Sequence, residues 1–132
     1  MQINSKIIYP ELSYKLTGLC YEVQGQLGRF CSEKQYTDAL EIVLEKNGLV
    51  FQREKFVPIK FESELIQGIF PDFLVENCIV LDLKAKKFIT KDDYNQMMKY
   101  LQLLNKKLGL IVNFRSTYLK PKRILNSQYS HE

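Results

Sequence analysis

Two acids and a lysine stand where the surrounding residues are apolar. The segment Cys78–Ala85 reads CIVLDLKA, and strand alternation puts Ile79, Leu81, Leu83 and Ala85 on one face, with Asp82 and Lys84 together on the other. Core packing does not call for an acid and a base two positions apart on such a strand. Taken alone, the pair also fits a solvated edge strand carrying an ordinary ion pair. Upstream, Ile69–Val75 contains Pro71-Asp72 among apolar residues. A three-residue hairpin loop at Glu76-Asn77-Cys78 would oppose Val75 to Ile79, and therefore Asp72 to Asp82, with Cβ atoms about 4.5–5.5 Å apart. Two like charges so placed destabilise a sheet unless something positive lies between them. A hard, oxygen-seeking divalent ion such as Mg²⁺ answers that need. By itself, Asp72 also fits a turn residue, because Pro-Asp is a common turn dipeptide.

Weaker candidates lie on helices. The stripe of Tyr36, Leu40, Val43 and Leu44 passes close to Glu33, whereas Glu41 and Glu45 face outward. An acid in a first helical turn equally suits the positive end of the dipole. Glu22 lies well off its helix's apolar stripe and is weaker still. Further on, Tyr94, Met97, Met98, Leu101, Leu104 and Leu108 form a main stripe, and Gln96, Tyr100 and Leu103 a second, partly polar one. A Gln and a Tyr one turn apart can both hydrogen-bond a phosphate or an acid; they can also rim a helix interface.

Other chemistry is excluded by what is missing. The single histidine, His131, lies in a polar segment, NSQYSHE, expected to fray, so a Ser-His or Cys-His nucleophile has no base. There is no Gly-rich phosphate loop. Cys20, Cys31 and Cys78 are far apart without a CxxC, which favours free thiols over a disulfide framework or a Cys-rich metal site. Any catalysis is left to carboxylates, Lys or Tyr, with or without a metal. Nineteen Lys and Arg against fifteen Asp and Glu give +4, a balance that suits a polyanionic partner.

The elements that must position these groups fit one domain over residues 1–132, since two would each lack a core. No apolar run approaches the roughly 20 residues of a membrane span, and the first residues lack a signal-peptide layout, so a cytoplasmic protein is expected. Residues 1–10 read as a flexible arm and 126–132 as a flexible tail. Pro10 introduces a helix near Leu12, carrying Leu16, Leu19, Cys20, Val23 and Leu27 and ended by Gly28. Ser32-x-x-Gln35 opens a second helix as a capping box, and Asn47-Gly48 stops it. Strands are expected at Leu49–Arg53, Lys55–Phe61, Ile69–Val75 and Ile79–Ala85. A third helix runs from Thr90 to about Lys107, followed by a strand at Leu108–Phe114, with Lys120–Leu125 as a candidate for the last. The order α-α-β-β-β-β-α-β is a mixed α/β layout in which the helix between Ala85 and Leu108 joins two parallel strands.

Together these residues resemble a known pattern. Asp72, nine residues, then Asp82-Leu83-Lys84 matches the PD-(D/E)XK signature, with Pro71 supplying its P. From about Leu12 to Leu125 the chain resembles the small prokaryotic group of that nuclease superfamily named for the motif GxxExxY. Glu33-x-x-Tyr36 followed by Ala39-Leu40 fits its helix, GIFPDFLVENCIVLDLKA its paired strands, Gln96-x-x-x-Tyr100-Leu101 its QxxxY helix, and LGLIVNF its next strand. Phe30 stands where the motif has Gly, and Asp82 where Glu is usual in this group.

The resemblance implies a restriction-endonuclease-like mixed sheet core flanked by helices, and metal-dependent hydrolysis of phosphodiester bonds, foremost in DNA. It implies Asp72 and Asp82 as ligands of Mg²⁺ or Mn²⁺, with the Leu83 carbonyl oxygen and Glu33 completing the shell. Lys84 would orient and help deprotonate the attacking water and stabilise transition-state charge. Gln96 and Tyr100 would position the phosphate. The basic segment Arg115, Lys120, Lys122 and Arg123, with Tyr118, would track a DNA backbone, or form a solvated strand. With little chain left for a separate reading module, specificity would come from a homodimer or a partner protein. The rival expectation is a catalytically silent nucleic-acid-binding or protein-interaction module on the same fold.

Overall fold

The computed structural model describes residues 8–130. Helix α1 (Pro10–Leu27) starts at the proline itself, whose missing N–H leaves no bond unmade at the first helical position. It buries Leu16, Leu19, Cys20 and Val23 along one stripe. Helix α2 (Glu33–Lys46) opens with the expected capping box. The Ser32 Oγ accepts from the Gln35 N–H at 3.2 Å, and Gln35 Oε1 accepts from the Ser32 N–H at 2.8 Å. Strands β1 (Phe51–Arg53), β2 (Val57–Phe61), β3 (Glu64–Ile69), β4 (Phe73–Val75) and β5 (Ile79–Lys84) follow, then helix α3 (Lys91–Leu104), β6 (Leu108–Asn113) and β7 (Lys122–Leu125).

The expected order of helices and strands is present, but β3 begins at Glu64, where no strand is expected, and the segment expected as one strand over Ile69–Val75 is divided. Ile69 closes β3, which pairs with β2 in a separate two-stranded ribbon, whereas Phe73–Val75 belongs to the main sheet. Pro71 sits at the break, where its missing N–H interrupts no ladder. Helix α3 stops at Leu104 rather than Lys107, because Asn105 turns left-handed (φ 52°), a conformation Asn tolerates.

The main sheet runs β1-β4-β5-β6-β7, with β5 central. Its β5–β6 pair is parallel across the α3 crossover, and its other pairs are antiparallel. Helices α1 and α2 pack on the face carrying Phe73, Val75, Ile79, Leu81 and Leu83. Helix α3 packs on the opposite face, with Met97, Tyr100 and Leu101 against Leu74, Val80 and Ile111. It lies so close that a Cβ at Gly109 would come within 2.3 Å of the Met97 sulfur.

The segment expected as a tail is tied down as far as residue 130. Asn126 is buried and its amide donates to the Leu101 and Lys106 carbonyls at 3.2 and 3.0 Å; Asn105 and Ser130 exchange two hydrogen bonds at 2.9 and 3.0 Å. His131 and the first seven residues of the expected arm lie outside the described residues. The three cysteines are free, and burial pushes the Cys20 thiol up to about 12. Among the described residues no helix is long and apolar enough to cross a membrane.

Candidate functional site

The hairpin joining β4 to β5 sets the first two acids. Glu76 and Asn77 both take positive φ (52° and 56°), and the Cys78 N–H closes the turn on the Val75 carbonyl at 3.0 Å. Val75 opposes Ile79, Leu74 opposes Val80 and Phe73 opposes Leu81. The same register, carried one residue further, brings Asp72 to Asp82. Their carboxyl groups are hydrogen-bonded to each other, and Asp72 Oδ2 also accepts from the Leu83 N–H at 2.7 Å. The reading of a solvated edge strand does not hold, because β5 lies between β4 and β6 and Asp82 is only 4% exposed. Burial first, and then the Asp82 charge, push the Asp72 carboxyl up to about 8, so that it is largely protonated at neutral pH.

Lys84 shares the Asp82 face, and its Nζ lies 2.9 Å from Asp82 Oδ2. Burial works against its charge, but Asp82, with Glu33 and Asp93 behind it, outweighs burial and raises the lysine above its ordinary value. Asp93 was legible in the sequence only as the third residue of a helix, yet it belongs to the same cluster. Its Oδ1 is 3.9 Å from Lys84 Nζ and its Oδ2 is 2.5 Å from Lys86 Nζ. It also caps α3, accepting from the Thr90 N–H at 2.8 Å. Burial works to raise Asp93, but Lys86 and Thr90 prevail and hold it below the usual carboxylate range.

Glu33, the first residue of α2, lies on the exposed rim of this cluster. Partial burial, opposed by Lys84 and aided by Asp82, raises its carboxyl. Tyr100 is buried on α3; its hydroxyl donates a long 3.4 Å hydrogen bond to the Phe70 carbonyl, and burial with Asp82, Asp72 and Glu33 raises its pKa. Gln96, one turn earlier, is exposed, and its side chain makes no hydrogen bond among the described residues.

The resulting site is a buried acid facing a half-buried one, a charged lysine beside them and a buried tyrosine, all at the end of the sheet where β5 stops. Compared with known protein families, residues 10–124 match the PD-(D/E)XK nuclease superfamily. The chain belongs to the PD-(D/E)XK nuclease superfamily. No curated protein and no solved structure matches it. Asp72 immediately precedes β4, and Asp82-Leu83-Lys84 end β5, the antiparallel neighbour of β4.

Among the described residues no group of three or more His, Cys, Asp and Glu stands close enough to hold a metal. Asp72 and Asp82 alone still form a reasonable donor set for Mg²⁺, which keeps several waters and binds through one or two carboxylates together with substrate phosphate. The upward shift of the Asp72 carboxyl marks the place where a cation would relieve the pair.

Tyr36, the tyrosine of the Glu33-x-x-Tyr36 pattern, has a structural role. Fully buried, it stacks on Phe114 with ring centroids 4.3 Å apart, accepts from the Cys31 N–H at 3.2 Å and donates to the Gly28 carbonyl. It thereby fixes the loop that carries Arg29 and Phe30. The basic segment beyond β6 is divided. Arg123 is engaged with α1, donating to Ser13 Oγ at 3.1 Å and to the Ile8 carbonyl at 2.9 Å, whereas Arg115 turns toward the loop after β5. Lys120, Lys122 and Tyr118 are exposed.

Proposed function

We propose that the protein is a Mg²⁺- or Mn²⁺-dependent nuclease of the GxxExxY type that hydrolyses phosphodiester bonds in DNA. The observation that carries this reading is the hydrogen-bonded contact of the Asp72 and Asp82 carboxyl groups, with Lys84 at hydrogen-bond distance from Asp82. An apolar or amide pair would hold the same strands together with no such charge conflict. Asp72 and Asp82 would hold the metal with the Leu83 carbonyl oxygen, and Glu33 would act through water from the rim.

When bound, the metal polarises the phosphate and makes hydroxide accessible at neutral pH. Lys84, kept charged by Asp82, suits stabilising negative charge on phosphate oxygens better than abstracting a proton. Tyr100 stays protonated and can turn its O–H from the distant Phe70 carbonyl to a phosphate oxygen. Gln96, free at the surface one turn away, would hold the neighbouring phosphate.

The test is a cleavage panel of single- and double-stranded DNA and RNA with Mg²⁺, Mn²⁺ or EDTA, run beside melting curves. DNA should be cut only with metal. Either metal should raise the melting temperature of the wild type but not of the Asp72→Asn, Asp82→Asn double variant. Melting indifferent to metal would sink the reading. A metal-dependent rise without cleavage of any substrate would favour the silent nucleic-acid-binding module.

A further inference from the structure

Beside the acids lies a second cluster that the nuclease reading does not use. Arg29 and Arg115 are locked together by reciprocal hydrogen bonds: Arg29 Nε donates to the Arg115 carbonyl at 2.9 Å, and Arg115 Nε to the Arg29 carbonyl at 3.1 Å. Arg115 also donates through Nη2 to the Ala85 carbonyl at 3.3 Å, one residue past Lys84. Both guanidinium carbons sit against the Phe30 ring, 5.1 and 5.3 Å from its centroid. Among the described residues no ion pair involves Arg29, Lys87 or Arg115, and both terminal nitrogens of Arg29 are without a hydrogen-bond partner. Among the described residues, two like charges are thus held against one ring with no anion to pair them.

The rings around them are unusual as well. Phe30 is 75% exposed and Phe88 74% exposed, and with Arg29, Lys87 and Arg115 they line a cleft of about 340 Å³. Large aromatic rings left in water cost hydrophobic free energy and are normally buried. Phe30 is also held in place, since Tyr36 bonds the backbone on both sides of it, at Gly28 and Cys31. A cleft of this volume lies at the small end of the roughly 300–1,000 Å³ range of ligand sites. Fixed cations with interleaved, solvent-facing aromatic rings are the chemistry that takes hold of a phosphate and the face of a base at once.

We propose that this cleft binds one unpaired nucleotide of a nucleic-acid strand, its base against Phe30 and Phe88 and its phosphate on Arg29 and Arg115. The proposal rests on the nuclease reading for its purpose, because the Ala85 carbonyl and the Lys87-Phe88 segment connect the cleft directly to the end of the Lys84 strand. A duplex keeps its base faces stacked internally and cannot use the rings. An acidic peptide would use the arginines but has no need of two phenylalanines.

The protein has no tryptophan, so Phe30→Trp creates a single indole reporter on the exposed ring position. Its emission should be quenched, saturably, by oligo-dT or oligo-rU in EDTA and again in Ca²⁺, but not by a duplex of equal length or by poly-glutamate. The two single strands distinguish DNA from RNA as the source. In parallel, Phe30→Ala should weaken single-strand binding about tenfold and duplex binding less than twofold.

Unchanged single-strand affinity in Phe30→Ala, absent quenching, or equal quenching by duplex or poly-glutamate would each overturn the proposal. Phe30 lies outside the core, so neither variant threatens the fold. The Asp82→Asn form of Phe30→Trp separates the two readings. Quenching there, with no wild-type cleavage in Mg²⁺ or Mn²⁺, would sink the nuclease and keep the cleft. Wild-type cleavage without quenching would do the reverse.

Discussion

Asp72 and Asp82 are set face to face by a hairpin register, and Arg29 and Arg115 are set side by side by bonds to each other's carbonyls. Both are like-charge pairs at the same end of the sheet, and they relieve their repulsion by opposite means. Asp82 is buried and Asp72 half-buried beside it, so their conflict is expressed in the raised Asp72 pKa. Arginine does not give up its proton in proteins. Its pair is half-buried along an open cleft, where water and salt still reach and screen it. A conflict between acids therefore answers to pH and metal, and one between arginines answers to ionic strength.

That contrast can be tested in order of expected effect. If the acids alone do chemistry, Asp82→Asn or Lys84→Ala should lower the cleavage rate about a thousandfold or more, whereas Arg29→Ala should act mainly through KM. A comparable loss of kcat in Arg29→Ala would erase the distinction.

The next effect is on stability without metal. With a folded-state pKa of about 8 against an ordinary 3.8, Asp72 holds a proton in the folded chain that the unfolded chain has already released. Stability should therefore fall as pH rises from about 4 to 8 and level off above. Asp72→Asn should flatten that fall and melt several degrees higher at pH 8 in EDTA. Calorimetry showing parallel pH profiles for the two proteins would refute the buried conflict. The smallest effect concerns salt. Removing Arg29 should reduce the slope of log K against log salt for single strands by about 0.7, a change that fluorescence anisotropy would show and that Asp82→Asn should not reproduce.

Much of the acid site was legible in the sequence because it is local. The loop from Val75 to Ile79 fixes the register, and the register fixes Asp72 against Asp82. Alternation alone places Lys84 beside Asp82. The capping box of Ser32 and Gln35 likewise announced where α2 begins, and with it the position of Glu33. Asp93 escaped notice because Thr90 and Asp93 already make sense as a capping box, and nothing local shows that Lys84 and Lys86 reach the same carboxylate. The arginine pair was beyond reach for a different reason. Its partners are 86 residues apart and meet only after β6 is laid beside β5. Arg123 shows the converse: it reads as part of a basic run, yet its guanidinium goes to the start of α1.

One further feature joins the two pairs. The Asn113 side chain accepts from the Lys86 N–H at 3.1 Å and donates to the Lys86 carbonyl at 2.7 Å, copying with an amide the two bonds a neighbouring strand would make. Its Oδ1 also accepts from the Arg115 N–H at 3.3 Å. The turn leaving Lys84 is thereby clamped to the residue that anchors the arginines. In a nuclease that grips a nucleotide at Phe30, Asn113 would serve as a ruler, setting a constant offset between the gripped nucleotide and the cut. On a duplex carrying one unpaired nucleotide, product ends sized on a sequencing gel should fall at one length in the wild type and spread over several in Asn113→Ala.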